Sequence, residues 1–380
     1  MPILDLAMPL ALFIVISVAL ILNKRVENKL IATVEQKEFK TRDILLLGVF
    51  IVIMVTVVAL TSMYNPGGLV PNVLLIMFLA SYTMLLFTFS YVFTNLTRQR
   101  AQLVSGIFGS ASLIMGVISL LAPFADVYAV YRAAAFFLLT ALCFVVVVYE
   151  ARKTITKSRW YVAAQPPALF LLMFLLFAAF YDGAVNVWFP YLMDAFAFTF
   201  ALLIILYLSS LFTWKTALVF AAFLPIIDVI LVFTGPMVAA AQTFTGLGLP
   251  VLVFLPKIPL YYNAQGNIQF GGLGLGDYFF AGILVIQTLK KWNMKTAIFA
   301  AAAIAVSFGI WEAFLLDIDA YLSNLIGHKI GGFPATVCII TGWLPVIGYK
   351  LLTAKKRPIP PPLPETSLPE ITKEPSLPPQ

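Results

Sequence analysis

The chain has 380 residues, is 62% hydrophobic and only 11% charged, where a soluble domain carries about 25% charged residues. A chain this apolar cannot cover itself with polar surface, so the bilayer must act as solvent for most of it. The formal net charge of +7 does not point to nucleic acid, because the basic residues sit between apolar runs and build no continuous basic face. A membrane-spanning helix needs about 20 mostly apolar residues. The first such run, residues 3–22, has acidic Asp5 near its start and Lys24 and Arg25 behind it, with no small-residue cleavage site. It reads as a retained span and not as a signal peptide. Residues 23–42 mix Lys, Glu and apolar positions and read as a solvated loop in preference to a surface helix. Further apolar runs lie at 43–63, 70–94, 103–123, 127–149, 166–185, 189–213, 216–236, 271–289, 296–316 and 333–352. The expected fold is therefore an all-α polytopic membrane protein with about 9–11 transmembrane helices. Turn residues such as Asn65-Pro66-Gly67-Gly68 join the runs. The Pro-rich tail, 356–380, should be extended and disordered.

The charges between the runs alternate. Of the 24 Lys and Arg, all but Arg132, Lys257 and Lys329 fall after odd-numbered runs. By the positive-inside rule this puts the N-terminus outside and the C-terminus in the cytoplasm of a multi-pass cell-membrane protein. A miscount of one span would destroy the alternation, so the pattern supports the count of eleven. Cys143 and Cys338 lie inside apolar runs and His328 is the only histidine. They offer neither a disulfide framework nor a metal-ligand spacing, and no cofactor or metal is expected.

Ionisable residues inside apolar spans are costly, and each is a functional hypothesis. The candidates are Asp182, Asp228, Asp277 and Glu312. Asp228 is about a dozen residues into its run, in Pro225-Ile226-Ile227-Asp228-Val229, with no Lys or Arg within a helical turn. Asp277 opens a run behind four glycines in Gly271-Gly272-Leu273-Gly274-Leu275-Gly276-Asp277. Such a glycine stretch is tolerated at membrane depth only where it is buried in protein or lines a wet cavity. Two carboxylates on adjacent antiparallel spans can share one site and one proton, the arrangement with which aspartic proteases activate water and polarise a scissile carbonyl. The alternative is that each acid merely hydrogen-bonds a neighbouring helix. Asp182 and Glu312 sit near outer ends of their spans, where water reaches them, and Asp317 and Asp319 read as loop residues. Between the two spans, Val251-Leu252-Val253-Phe254 is strand-like, and Ile268-Gln269-Phe270 is its possible partner, unless the segment is an irregular loop.

Gly274-Leu275-Gly276-Asp277 reproduces the GxGD motif of the presenilin and signal-peptide-peptidase family. Two further blocks resemble that family in order and rough spacing. Asp228, Val232-Phe233, Thr234, Met237, Ala241 and Phe244, then Leu249 to Pro256, look like its first catalytic helix and the segment after it. Pro334-Ala335-Thr336 stands where the family has Pro-Ala-Leu. The likeness covers about residues 216–355. It implies a helical bundle of that type and an intramembrane aspartyl endopeptidase with Asp228 and Asp277 as catalytic acids. Gly274, Leu275, Gly276, Pro334, Ala335 and Thr336 would then position substrate. The partners implied are transmembrane peptide or protein substrates and the lipid bilayer. The resemblance divides the chain into an additional N-terminal hairpin (1–68), the first part of the core (69–215), a catalytic part (216–355) and the tail (356–380). With a cytoplasmic C-terminus the orientation is that of signal peptide peptidases, implying type II substrates or remnant signal peptides. Two positions depart from the pattern: Ile227 replaces Tyr or Phe, and Thr336 replaces Leu. A proton-coupled secondary transporter would also carry broken helices and mid-membrane acids, but the two halves show no clear inverted repeat. A prepilin-peptidase type shares GxGD but not the Asp228 block or Pro334-Ala335-Thr336. A catalytically silent relative that binds membrane helices is the third alternative.

Overall fold

Backbone polar groups in a bilayer must be satisfied within the chain, and apolar runs do this as helices. The computed structural model describes residues 5–33, 38–64, 69–93, 97–152, 159–181, 183, 186–262, 265–326 and 333–355. In chain order these form α1 (Ala7–Thr33), α2 (Thr41–Tyr64), α3 (Leu69–Val92), α4 (Arg98–Ile118), α5 (Ala129–Arg152), α6 (Trp160–Ala163) and α7 (Gln165–Met173). Wider-pitched turns at Phe174–Ala179 and Trp188–Leu192 lie between α7 and α8 (Met193–Leu208), followed by α9 (Trp214–Phe233) and α10 (Pro236–Gly246). A hairpin, β1 (Leu252–Pro256) and β2 (Phe270–Gly274), leads into α11 (Leu275–Lys291), α12 (Met294–Ala313), α13 (Leu315–Ile326) and α14 (Ala335–Lys355). Among the described residues nine helices are long and apolar enough to cross a membrane. The protein is thus an all-α polytopic membrane protein. The two other expected spans are α1, apolar over Ala7–Asn23, and α11, which has only 17 residues. Asp182, His328, Lys329, the turn at 65–68 and the tail 356–380 lie outside the described residues.

Three expectations need correction. Residues 23–33 are not a loop but the continuation of α1. Val26 is buried and Lys290 at the end of α11 donates to Glu27 Oε1 at 2.6 Å, so this part of the helix is docked on the protein. Asp317 and Asp319 are not in a loop but in α13, where Leu315, Ile318, Leu322 and Ile326 repeat at helical spacing. The partner of β1 is not Ile268–Phe270 but the glycine run: Leu252 pairs with Gly274 and Pro256 with Phe270. Ile268 forms only an isolated bridge to Tyr262. The glycines therefore end a strand, and the helix carrying Asp277 begins only at Leu275.

The most enclosed helix is α11, with every side chain from Phe280 to Thr288 buried. It packs against α1, α8, α9, α12 and α14. Gly282 permits the approach of α8, since a Cβ there would lie 2.7 Å from Ile205. Gln287 donates to the Ser209 and Phe212 carbonyls at 3.0 and 2.7 Å, closing the free carbonyl end of α8. Whereas α1 packs on α8, α11 and α12, α2 packs on α9 and α10. The first two helices thus flank the pair bearing Asp228 and Asp277 from separate sides.

Arg132 breaks the charge alternation because it is a structural pin. It is 2% exposed. It donates to both Asp126 oxygens at 3.1 and 3.2 Å and to the Phe124 carbonyl at 2.7 Å, and its guanidinium lies 4.9 Å from the Tyr181 ring centre. The hydrogen bond from Arg132 holds the Asp126 carboxyl below its usual range. The stabilisation is therefore present above the ordinary carboxylate pKa and is lost as pH falls through the lowered value. Leaving a buried charge unpaired costs roughly 3 kcal/mol. Asp126→Asn is accordingly expected to lower the thermal unfolding midpoint in detergent more than Arg132→Met, which removes the buried charge itself. Equal midpoints for both variants and the parent would remove the pin from the account.

Candidate active site

The register between α9 and α11 is set where α9 begins and α11 ends. Trp214, the first residue of α9, meets Trp292 edge-on with ring centres 5.0 Å apart. Higher up, Phe220 packs against Phe279 and Phe280 at 5.9 and 5.7 Å. Asp228 lies about 14 residues on from Trp214 and Asp277 about 15 before Trp292, rises of about 21 and 22 Å at 1.5 Å per residue. Two antiparallel helices joined at their feet thus carry their acids to the same level. Pro225 sits one turn before Asp228 inside α9 and removes one helical hydrogen bond there. Beyond Phe233 the chain turns at Gly235, whose φ of +92° requires glycine, and Pro236 starts α10.

Both acids line one cavity of about 870 Å³. Asp228 is 7% exposed; Asp277, third residue of α11, is half-buried. Met237, Ala241 and Phe244 of α10 form part of the wall, as does the run from Phe270 to Gly276. Pro334 and Thr336 are buried beside it and Ala335 lines it. Pro334 immediately precedes α14 and has no N–H to donate. The next residues turn back on Asp228: Thr336 Oγ1 donates to Asp228 Oδ2 at 2.6 Å, and its backbone N–H points to the same oxygen at 3.3 Å. Sequence reading treated Thr336 as a departure from a pattern, yet it is the residue that holds Asp228. Ile227, the other departure, is a buried apolar residue.

The glycines act unequally. A Cβ on Gly274 would lie 3.1 Å from Asp277 Oδ2, whereas one on Gly276 would meet nothing within 4 Å. Gly274→Ala must shift the Asp277 carboxyl by a few tenths of an ångström, less than the 1 Å misplacement that can cost roughly 100-fold in rate. Under the peptidase reading given below, Gly274→Ala is expected to cut peptide turnover by less than that factor, about 10-fold, with Gly276→Ala milder still. Equal turnover in the two variants would contradict this geometry.

The hairpin has one closed and one open edge. On the closed edge, the Phe254 N–H of β1 donates to Asp194 Oδ1 of α8 at 2.7 Å. On the open edge, β2 faces the cavity along its whole length. Glu312 and Lys257 also line the cavity. Asp5 accepts from the Ala7 and Ile258 N–H groups, both at 2.9 Å, tying the start of α1 to the loop after β1. Its other oxygen and Glu312 Oε1 approach Gly271, lying 3.2 and 3.6 Å from where a Cβ would be. Asp317 is exposed and is not among the residues that line the cavity.

Set against known protein families, characterised proteins and solved structures, the chain matches none. The site must therefore be judged on its own geometry. Asp194 drew no attention in the sequence, and Asp5 only as an acidic residue at the start of the first run. Asp194 carried a signal, being an acid in an apolar run, but its role as the dock for β1 depends on a partner 60 residues away. Tyr278 is fully buried with a hydroxyl that finds no partner among the described residues. Among those residues no group of three or more His, Cys, Asp or Glu has the arrangement of a metal site.

Proposed function

We propose that the chain is an intramembrane aspartyl endopeptidase of the presenilin and signal-peptide-peptidase type. The observation that carries this reading is the convergence of Asp228 and Asp277, level on neighbouring antiparallel helices, on one cavity that also exposes the free edge of β2. Hydrolysis adds one water across the peptide bond. One carboxylate, ionised, takes a proton from that water as its oxygen attacks the scissile carbonyl carbon. The other, protonated, donates to the carbonyl oxygen, and the leaving amine takes up a proton as the C–N bond breaks. A helical substrate has its backbone already hydrogen-bonded and must unwind first. The open edge of β2 supplies N–H and C=O groups to which an unwound segment adds as a third strand next to the acids.

The charge alternation supports an outside N-terminus and a cytoplasmic C-terminus, which suits substrates whose own N-terminus is cytoplasmic, including remnant signal peptides. The purified protein, incubated with a type II transmembrane peptide, is expected to cut it within the apolar segment. Intact peptide together with proton-coupled solute uptake into vesicles would replace this reading with a transporter.

A further inference from the structure

A second groove of about 680 Å³, which shares no lining residue with the cavity of the acids, runs between α12 and α14. We propose that it is a binding site for one anionic phospholipid, a role that does not depend on the peptidase reading. The floor is formed by direct backbone contact. A Cβ on Gly342 would lie 2.6 Å from the Ala303 carbonyl oxygen and 2.7 Å from Ile304 Cα. The walls are apolar and turned outward: Phe299 is 66% exposed and Val306 63%, with Ile310 and Tyr349 similar. Exposed side chains of this kind on spanning helices face lipid tails.

The charge lies at one end. Lys295 is in the first turn of α12 and Lys350 near the end of antiparallel α14, so both stand at the same mouth of the groove, beside Tyr349. The N-terminal end of α12, where Asn293 Oδ1 accepts from the Thr296 N–H at 2.9 Å, lies at that mouth, and its dipole favours an anion there. None of the residues lining the groove is acidic. From Lys295 to Ile310 the groove extends about 15 residues, or about 22 Å. One leaflet contributes about 15 Å of a hydrocarbon core about 30 Å thick. A phosphate held by the two lysines therefore leaves room for an acyl chain to lie along the groove to mid-bilayer. A second protein helix would match the apolar wall but would supply no fixed counter-charge for the two lysines, whereas a lipid phosphate neutralises them.

The test uses the full chain in nanodiscs of equal parts phosphatidylglycerol and phosphatidylcholine with identical acyl chains. Lipid co-purifying after detergent extraction is counted by native mass spectrometry. Phosphatidylglycerol should be retained preferentially. A lysine near an anionic lipid contributes about a fivefold preference, so the Lys295→Gln/Lys350→Gln double variant should lose on the order of tenfold or more. The Lys215→Gln/Lys291→Gln pair, which removes two basic residues outside the groove, should keep the preference of the parent. The proposal is overturned if the groove variant retains as much phosphatidylglycerol as the parent, or if the two pairs lose it equally.

Discussion

Asp228→Asn and Asp277→Asn are each expected to abolish cleavage of a transmembrane peptide, a loss on the order of 10⁴-fold or more. Asparagine keeps the size of the side chain and, at 228, an oxygen that still accepts from Thr336, so the bundle should assemble unchanged. What it lacks is the ability to take or give a proton. Under the peptidase reading the two acids share one water and one carbonyl, so removing the second should add little, and the double variant should resemble either single one. The measurement is product formation in single-turnover mixtures, with unfolding midpoints recorded in parallel. Cleavage that survives either substitution would end the two-acid mechanism. Asp182→Asn should leave turnover close to that of the parent; loss there, with Asp228→Asn active, would reassign the first acid.

Thr336→Val is expected to carry the next largest effect. Valine matches threonine in shape and removes only the hydroxyl that donates to Asp228 Oδ2 at 2.6 Å. The remaining contact is the backbone N–H at 3.3 Å, so the carboxyl loses its shorter donor. A hydrogen bond to a charged group contributes about 1.5–3 kcal/mol, which corresponds to roughly 10- to 100-fold in turnover if the bond is needed to hold Asp228 in place. Thr336→Ser retains the hydroxyl and should recover most of the rate. Thr336→Leu, which installs the residue usual in the resembled family, should behave like valine. If valine and serine variants turn over alike, the hydroxyl has no part in positioning Asp228, and its short bond is structural only.

The lipid-facing architecture was legible because hydropathy is a local property. Each span must bury its own backbone hydrogen bonds, so a run of apolar residues suffices to announce it. The two acids were visible for the same reason: a carboxylate in a long apolar run is costly wherever the chain later places it. Strand register was half legible. The apolar stretch 251–254 announced β1, but its partner was sought in Ile268–Phe270 and proved to be Phe270–Gly274. Glycine has little intrinsic strand preference, and that run is held extended by its antiparallel pairing with β1, which Asp194 docks on α8.

The chain by itself therefore determined the all-α, polytopic character of the fold, the two carboxylates in apolar runs and the glycine-bearing entry to α11; of the eleven apolar runs, nine form helices long and apolar enough to span a membrane among the described residues. Only the tertiary structure decided what holds them. The paired tryptophans that level the acids, the Thr336 hydroxyl on Asp228, and Asp5 reaching from α1 to Ile258 all join residues far apart in the chain. A short polar side chain is chemically neutral about its partner until packing brings one within hydrogen-bond reach. For that reason Thr336 read as a mismatch in the sequence and became, in the folded protein, the residue that secures the first acid.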